Sequence, residues 1–257
     1  MKVLIVYAHM EPRSFNAALL ERAKETLKRK GAEVRISDLY AMGFNPIPGE
    51  ADFKDHEAGT VLDYYAEQKR AYEEGTLADD IVAEIEKLNW CDILILQFPL
   101  YWFSMPAILK GWVDRVLVPG FAYGGGAWYD KGGLKGKRGM VVTTMAAFQE
   151  MMAPDGINGL VDVNLWPIQN GILAFCGFDV LPPFIANAVP YVDDAARGEI
   201  LEAYEARLME IDTQEPLSFH RRDDFDRTWK LKPSIEPRTV GHYFASLPPQ
   251  LLQKIRK

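Results

Sequence analysis

Three loops hold the residues whose types and spacing could do chemistry. The first presents His9, Ser14, Phe15 and Asn16 where a helix begins. A helix start offers unpaired backbone N–H groups and the positive end of the helix dipole, so hydroxyl and amide side chains there suit a phosphate or pyrophosphate. They suit an ordinary helix cap equally well. The second loop, Pro99-Leu100-Tyr101-Trp102-Phe103, sets three aromatics behind an apolar run. Large rings on a loop make a flat wall for a planar ring system, or they cover the end of a sheet. The third, from Thr143 and Thr144 through Met145 to Ala147, supplies hydroxyls and small side chains. Gly124-Gly125-Gly126, just ahead of Trp128, fits a mobile lid or a surface turn.

Other chemistries are disfavoured. The first loop has neither G-x-G-x-x-G nor G-x-x-x-x-G-K-[ST], the phosphate cradles of nicotinamide Rossmann folds and P-loop NTPases. His9, His56, His220 and His242 show no metal-ligand spacing. Cys91 and Cys176 cannot build a disulfide framework, and the expected compartment is a reducing cytoplasm. The opening apolar run is too short for a signal peptide h-region, and no stretch approaches the length of a membrane span.

Alternating strands and helices must position these loops. Residues 3–8 read as a buried strand, 16–30 as a helix ended by Gly31, and 33–38 as a second strand, together a βαβ unit. Residues 40–75 read as irregular. A helix is predicted over 76–88, a strand over 92–98, a helix over 106–116 opened by Pro106, and a strand over 139–144. A helix over 166–175, a fifth strand beginning at 178–181 and an amphipathic helix over 194–211 follow. This rhythm predicts a doubly wound five-stranded parallel sheet of order 2-1-3-4-5, with ligands held outside the carboxyl ends of the strands. The expected division is one domain over 1–215 and an extended arm over 216–257 punctuated by prolines.

The formal net charge is −7, which makes nucleic acid a poor partner. The charge is uneven. Residues 217–257 hold nine Lys and Arg against four Asp and Glu, a net of +5, leaving −12 on the rest. An arm so charged is expected to dock on the acidic body or on a partner subunit; solvated charge is the alternative.

The run Gln97-Phe98-Pro99-Leu100-Tyr101-Trp102-Phe103-Ser104-Met105-Pro106-Ala107-Ile108-Leu109-Lys110-Gly111-Trp112 resembles the NAD(P)H:quinone oxidoreductases of the DT-diaphorase and ribosyldihydronicotinamide dehydrogenase type. Ala8-His9, Ser14-Phe15-Asn16, Phe121-Ala122-Tyr123, Tyr129-Asp130-Lys131-Gly132, Leu165-Trp166-Pro167-Ile168-Gln169 and Phe175-Cys176-Gly177-Phe178 extend the resemblance. So do Val240-Gly241-His242 and the ending at 253–257. It implies a flavodoxin-like fold, a homodimer with sites at its interface, and FAD in preference to FMN. It also implies ping-pong transfer, in which NAD(P)H gives hydride to flavin N5 and a quinone then takes it.

By matched position, His9, Ser14, Phe15 and Asn16 would hold the pyrophosphate and ribityl region. Pro99, Leu100, Tyr101, Trp102 and Phe103 would line the flavin ring, with Thr143, Thr144 and Met145 also at it. Arg197 and Leu201 fall near the adenine end. Tyr123, Trp128, Phe175 and Met151 would shape the pocket shared by nicotinamide and quinone.

The departures bear on proton handling. Met145 and Ala146 stand where the family usually has two glycines, and a pocket tyrosine falls at Gly125. The family's catalytic tyrosine falls at Met152 (or Met151), and its partner histidine at Asn158. Tyr123, Met152 and Asn158 are therefore the positions expected to act beside the reacting centre. Asn170 and Ala174 replace the metal histidines of one branch, so no metal is expected. A second reading is a flavin-binding regulatory subunit of the kind found on potassium-efflux systems, with incidental reductase activity.

Overall fold

Alternating strands and helices wind a parallel sheet in the computed structural model, which describes residues 1–57 and 59–243. The strands are β1 (Lys2–Tyr7), β2 (Glu33–Asp38), β3 (Ile93–Pro99), β4 (Arg138–Thr144), β5 (Asp179–Val180) and β6 (Phe184–Ala186). Their order is β2-β1-β3-β4-β5, with β6 also on β4. Every pairing is parallel. Six strands stand where five were expected. β5 pairs with Arg138 and Gly139 and β6 with Val142 to Thr144, so both flank the same edge of β4. Pro182 and Pro183 lie between them, and proline has no N–H to give the ladder.

The helices are α1 (Phe15–Arg29), α2 (Tyr64–Glu74), α3 (Asp79–Trp90), α4 (Ala107–Val116), α5 (Val161–Ile168) and α6 (Asp194–Met209). Helix α2 corrects the expectation of an irregular 40–75 segment. Asp63 caps it and Gly75 ends it with φ 74°, but only Gln68 and Ala71 are buried, so the periodic apolar signal is weak. The helix expected over 166–175 starts earlier, at Val161, and passes into a π-helix over Gln169–Ala174.

The fully buried strands sort by parity. Leu4, Val6, Leu94, Leu96 and Val141 face a core shared with α3, α4 and α5. Val3, Ile5, Ile93, Ile95, Met140 and Val142 face a second core shared with α1 and α6. Two-sided burial explains why these strands read as continuous apolar runs.

After α6, the chain from 216 to 243 holds a 3-10 turn at Arg222–Asp224, a bridge between Phe225 and Leu231 and a turn closed by His242 N–H on Thr239 O. It meets the body through Leu217 N–H on Val180 O (2.7 Å) and Arg222 N–H on Asp130 Oδ1 (2.9 Å). Its ion pair is internal, joining Asp224 to Arg238, and Asp224 also meets His220 Nδ1 at 3.2 Å. Among the described residues, aromatic and hydrogen-bonding contacts hold the arm to the body. The ending at 253–257 lies outside the described residues.

Candidate active site

The start of α1 and the carboxyl ends of β3 and β4 are knotted together by buried polar side chains. Asn16 Nδ2 donates to Thr144 Oγ1 at 2.7 Å. Gln97 Nε2 donates to Asn16 O at 2.6 Å and to Asn16 Oδ1 at 3.2 Å. Asn16, Gln97, Thr143 and Thr144 are all buried. Asn16 was expected on the ligand; it lies beneath the loops, with its amide committed to their framework. Gln97 was not anticipated as a site residue. Its signal was a lone amide in the apolar run DILILQF, because a buried polar group must find partners.

Above this knot the aromatic loop makes a tight turn. Tyr101 N–H bonds Ser104 O at 2.9 Å, and Ser104 N–H bonds Tyr101 O at 3.0 Å. Trp102 and Phe103 between them have φ of 50° and 60°. Two successive positive φ values are those of a type I′ turn, which favours Asn-Gly or Gly-Gly. The same chain does use glycine in such a turn, where Gly125 and Gly126 (φ 59° and 87°) sit inside the Gly124–Ala127 bridge. That bridge makes Gly124–Ala127 a defined turn. Bulky side chains in left-handed backbone cost about 1–2 kcal/mol each. They are not repaid by burial, since Trp102 is 95% exposed and Phe103 49%. Strain retained with exposed rings points to a binding role. Leu100 N–H on Thr144 O (2.9 Å) and Met145 N–H on Ala186 O (2.9 Å) fix this turn to the next loop.

The first loop opens a cleft of about 700 Å³ lined by Tyr7, His9, Arg13, Ser14, Ala17 and Tyr40, among others. Ser14 caps α1, accepting Ala17 N–H at 3.1 Å. His9 Nδ1 accepts Glu11 N–H at 3.0 Å, which puts the ring proton on Nε2. Burial pushes the His9 pKa below its ordinary value, so the ring is a neutral donor at pH 7. Phe15 packs against the second core.

Helix α6 supports this end from behind. Arg197 donates to Val189 O at 3.2 Å, Val189 N–H bonds Met145 O at 3.2 Å, and Leu201 packs in the second core. Neither Arg197 nor Leu201 lines the His9 cleft.

The third expected group forms an aromatic chain elsewhere on the subunit. Tyr123 lies 5.5 Å from Phe175 between ring centroids, and Trp128 6.3 Å from Phe175. Their backbone base is rigid. Tyr129 N–H bonds Phe175 O and Leu134 N–H bonds Cys176 O, while a Cβ on Gly132 would fall 2.3 Å from Cys176 backbone atoms. Burial raises the Tyr123 pKa, so its hydroxyl stays protonated. The Cys176 thiol is pushed up to about 12 by burial and stays inert. Tyr123 and Phe175 line one cleft with Tyr65, Trp128 lines another, and neither contains His9 or Ser14.

The loop after β4 brings two expected positions into contact. Asn158 Nδ2 donates to Met152 Sδ at 3.5 Å. Met152 is buried, whereas Met151 is 37% exposed and accepts Asn158 N–H through its carbonyl. The buried partner of Asn158 is therefore Met152.

Residues 1–208 match the flavodoxin-like fold family. The chain is 42% identical to NAD(P)H dehydrogenase (quinone) 1 of Rattus norvegicus over 273 aligned residues, covering 100% of this chain and 98% of that protein. The chain belongs to the NAD(P)H:quinone oxidoreductase family. Human ribosyldihydronicotinamide dehydrogenase (quinone) is 44% identical over 217 residues, 84% of this chain and 94% of that protein. A crystal structure of a Klebsiella pneumoniae protein assigned as a quinone reductase superposes with a TM-score of 0.90 at 41% identity, covering 94% of this chain and 97% of that one. The chain is thus an oxidoreductase of the NAD(P)H dehydrogenase (quinone) type. The regulatory-subunit reading is not favoured, because the relatives spanning the chain are named as dehydrogenases.

Family membership implies a flavin and a reduced nicotinamide donor, and the residues present fit a flavin. The strained, exposed Trp102–Phe103 turn offers a planar wall, and its two amides have no partner among the described residues. The α1 start and His9 Nε2–H offer donors for a phosphate.

Proposed function

We propose that this oxidoreductase uses FAD to pass two electrons from NAD(P)H to a quinone or related electrophilic acceptor by a ping-pong mechanism. The observation that carries this reading is the Trp102–Phe103 turn, two large exposed rings kept in left-handed backbone at the end of β3. A bound flavin supplies the hydride relay; the protein supplies position and electrostatics. His9 and Ser14 hold the pyrophosphate, and Trp102 and Phe103 orient the ring. Arg197 steadies the Met145 loop from α6 on the side of the adenine end. Tyr123 keeps its proton and serves as the hydroxyl donor of the substrate pocket.

The proposed working unit is a cytoplasmic homodimer with Tyr123, Trp128 and Phe175 of one subunit facing the ring wall of the other. Supporting this are the separate clefts of the two groups within one chain and the exposure of Trp102, Phe103 and Tyr65. No helix among the described residues is long and apolar enough to cross a membrane.

Purified protein should be yellow and release FAD on denaturation, identified by chromatography. It should oxidise NADH or NADPH only when menadione is added. A colourless protein that neither FAD nor FMN reconstitutes would overturn the proposal.

The contact between Met152 and Asn158 yields a second expectation. Neither side chain carries a proton near neutral pH. Combining Met152→Tyr with Asn158→His should give the rate of flavin reduction a titration between about pH 5 and 8 that the natural chain lacks. Stopped-flow reduction across that range checks it; identical profiles would show that this loop does not reach the reacting centre.

A further inference from the structure

The arm and the body enclose a cavity of about 230 Å³. Rings of Trp128 and Tyr129 come from the glycine-rich segment, Trp166 from α5, and Phe225 and Trp229 from the arm. Trp128 and Trp229 stand 4.7 Å apart between centroids. The cavity shares only Trp128 with the residues assigned to the substrate pocket. A 150 Å³ apolar cavity holds benzene, so this one has room for a fused bicyclic ring.

Its polar lining points to the ligand. Asn170 is 94% buried by its 6% relative exposure, lines the cavity, and its side-chain amide has no hydrogen-bond partner among the described residues. Asn170 sits in the π-helix, where Phe175 N–H reaches back to Asn170 O at 3.0 Å; such turns recur at functional sites.

Arg222 brings the positive charge. Its guanidinium lies over Trp128 at 4.9 Å and Trp229 at 5.6 Å and donates to Gly126 O through Nη1. Its Nε is shielded from water and has no partner among the described residues.

The two histidines differ. His220 is fully engaged, with Nδ1 on Asp224 and Nε2 accepting Arg238 N–H. His242 has Nδ1 on Thr239 Oγ1 at 2.9 Å, while Trp166 Nε1 donates to that same oxygen at 3.4 Å. No described residue engages His242 Nε2. Burial and the neighbouring His220 lower the His242 pKa, so this ring is neutral at pH 7. No lining residue is a carboxylate.

We infer that this cavity is a second small-molecule site, for a planar aromatic carboxylate of bicyclic size stacked among the tryptophans and held by Arg222 and Asn170. Charge and shape both support it: a cationic, aromatic, carboxylate-free chamber with an idle amide favours a flat anion over a neutral or cationic ring.

The test titrates 2-naphthoate into the full-length flavin-loaded protein while following tryptophan fluorescence. Saturable quenching below about 1 mM is expected, with 2-naphthamide, Arg222→Gln and Asn170→Leu each weakening it about tenfold. Far-UV circular dichroism confirms folding. If Asn170→Leu does not fold, the isosteric Asn170→Asp replaces it and should repel the carboxylate by a similar factor. No saturation, equal binding of the neutral amide, or quenching indifferent to the variants overturns the inference. So does strict competition with the nicotinamide donor. Fluorescence needs no turnover, so this result stands or falls apart from the proposed reductase activity.

Discussion

Replacing Trp102 and Phe103 together by Asn and Gly should make the protein more stable and unable to hold its flavin. Both residues occupy left-handed backbone, at φ 50° and 60°, between the paired amides of Tyr101 and Ser104. Asn-Gly is the sequence such a turn prefers, so the double variant should gain about 2–4 kcal/mol. Little packing is lost in return, because Trp102 is almost fully exposed. Each kcal/mol raises Tm by about 2–4 °C in a chain of this size, so calorimetry on the flavin-free forms should resolve a rise of several degrees. Flavin binding should move the other way. Two rings that would stack on the flavin are worth about 3 kcal/mol or more, at least a hundredfold in Kd. An unchanged Tm would mean that the turn stores no strain. Undiminished flavin affinity would remove the aromatic wall from the site.

Replacing Arg115 by Met should cost about 3–5 kcal/mol, the largest single loss expected outside the hydrophobic core. Arg115 in α4 is 3% exposed, and Asp52, which it pairs with at 2.7 Å, is 1% exposed. The same guanidinium donates to Asn45 O at 2.9 Å and to Asp80 at 2.7 Å. Asp52 also accepts the Tyr64 hydroxyl at 2.5 Å. Removing the cation strands a buried carboxylate and frees the 45–52 segment, which runs close enough to α4 that a Cβ on Gly111 would fall 2.1 Å from Pro46 O. Arg115→Lys should recover little, since a single ammonium cannot reproduce the fork onto three acceptors. Urea unfolding measures both variants. A loss under about 1 kcal/mol would show that water replaces the guanidinium at Asp52. Because Tyr64 and Tyr65 line the cleft that contains Tyr123, the fold and the candidate substrate pocket share this anchor.

Much of the scaffold was legible because parallel strands buried on both faces leave continuous apolar runs. The run at 92–98 gave β3 almost to the residue, and 33–38 gave β2 without correction. Helix α2 was not legible, because it buries too few side chains to print a period. The interrupted edge at β5 and β6 was equally hidden: two prolines signal a break, but only the pairing with β4 shows the chain resuming on the same edge. Among the site residues, the aromatic loop and the helix start carried their own signal in residue type. Arg222 and Trp229 carried none, as each reads as an arm residue until the fold sets it against Trp128 and Trp166.

The family resemblance placed Met152 (or Met151) and Asn158 at the positions of the family's tyrosine and histidine, and the sequence by itself determined the doubly wound order and the aromatic loop behind β3. These follow from local periodicity and residue identity. The tertiary structure decided that Asn16 is a tie beneath the loops, that Met152 is the methionine which meets Asn158, that Trp102 and Phe103 stand exposed in left-handed backbone, and that the arm closes an aromatic chamber. The physical reason is separation along the chain. Asn16 bonds Thr144 across 128 residues and Gln97 across 81, and Arg222 reaches Gly126 across 96. Contacts of that span depend on how sheet and helices pack, which no local pattern of residues encodes.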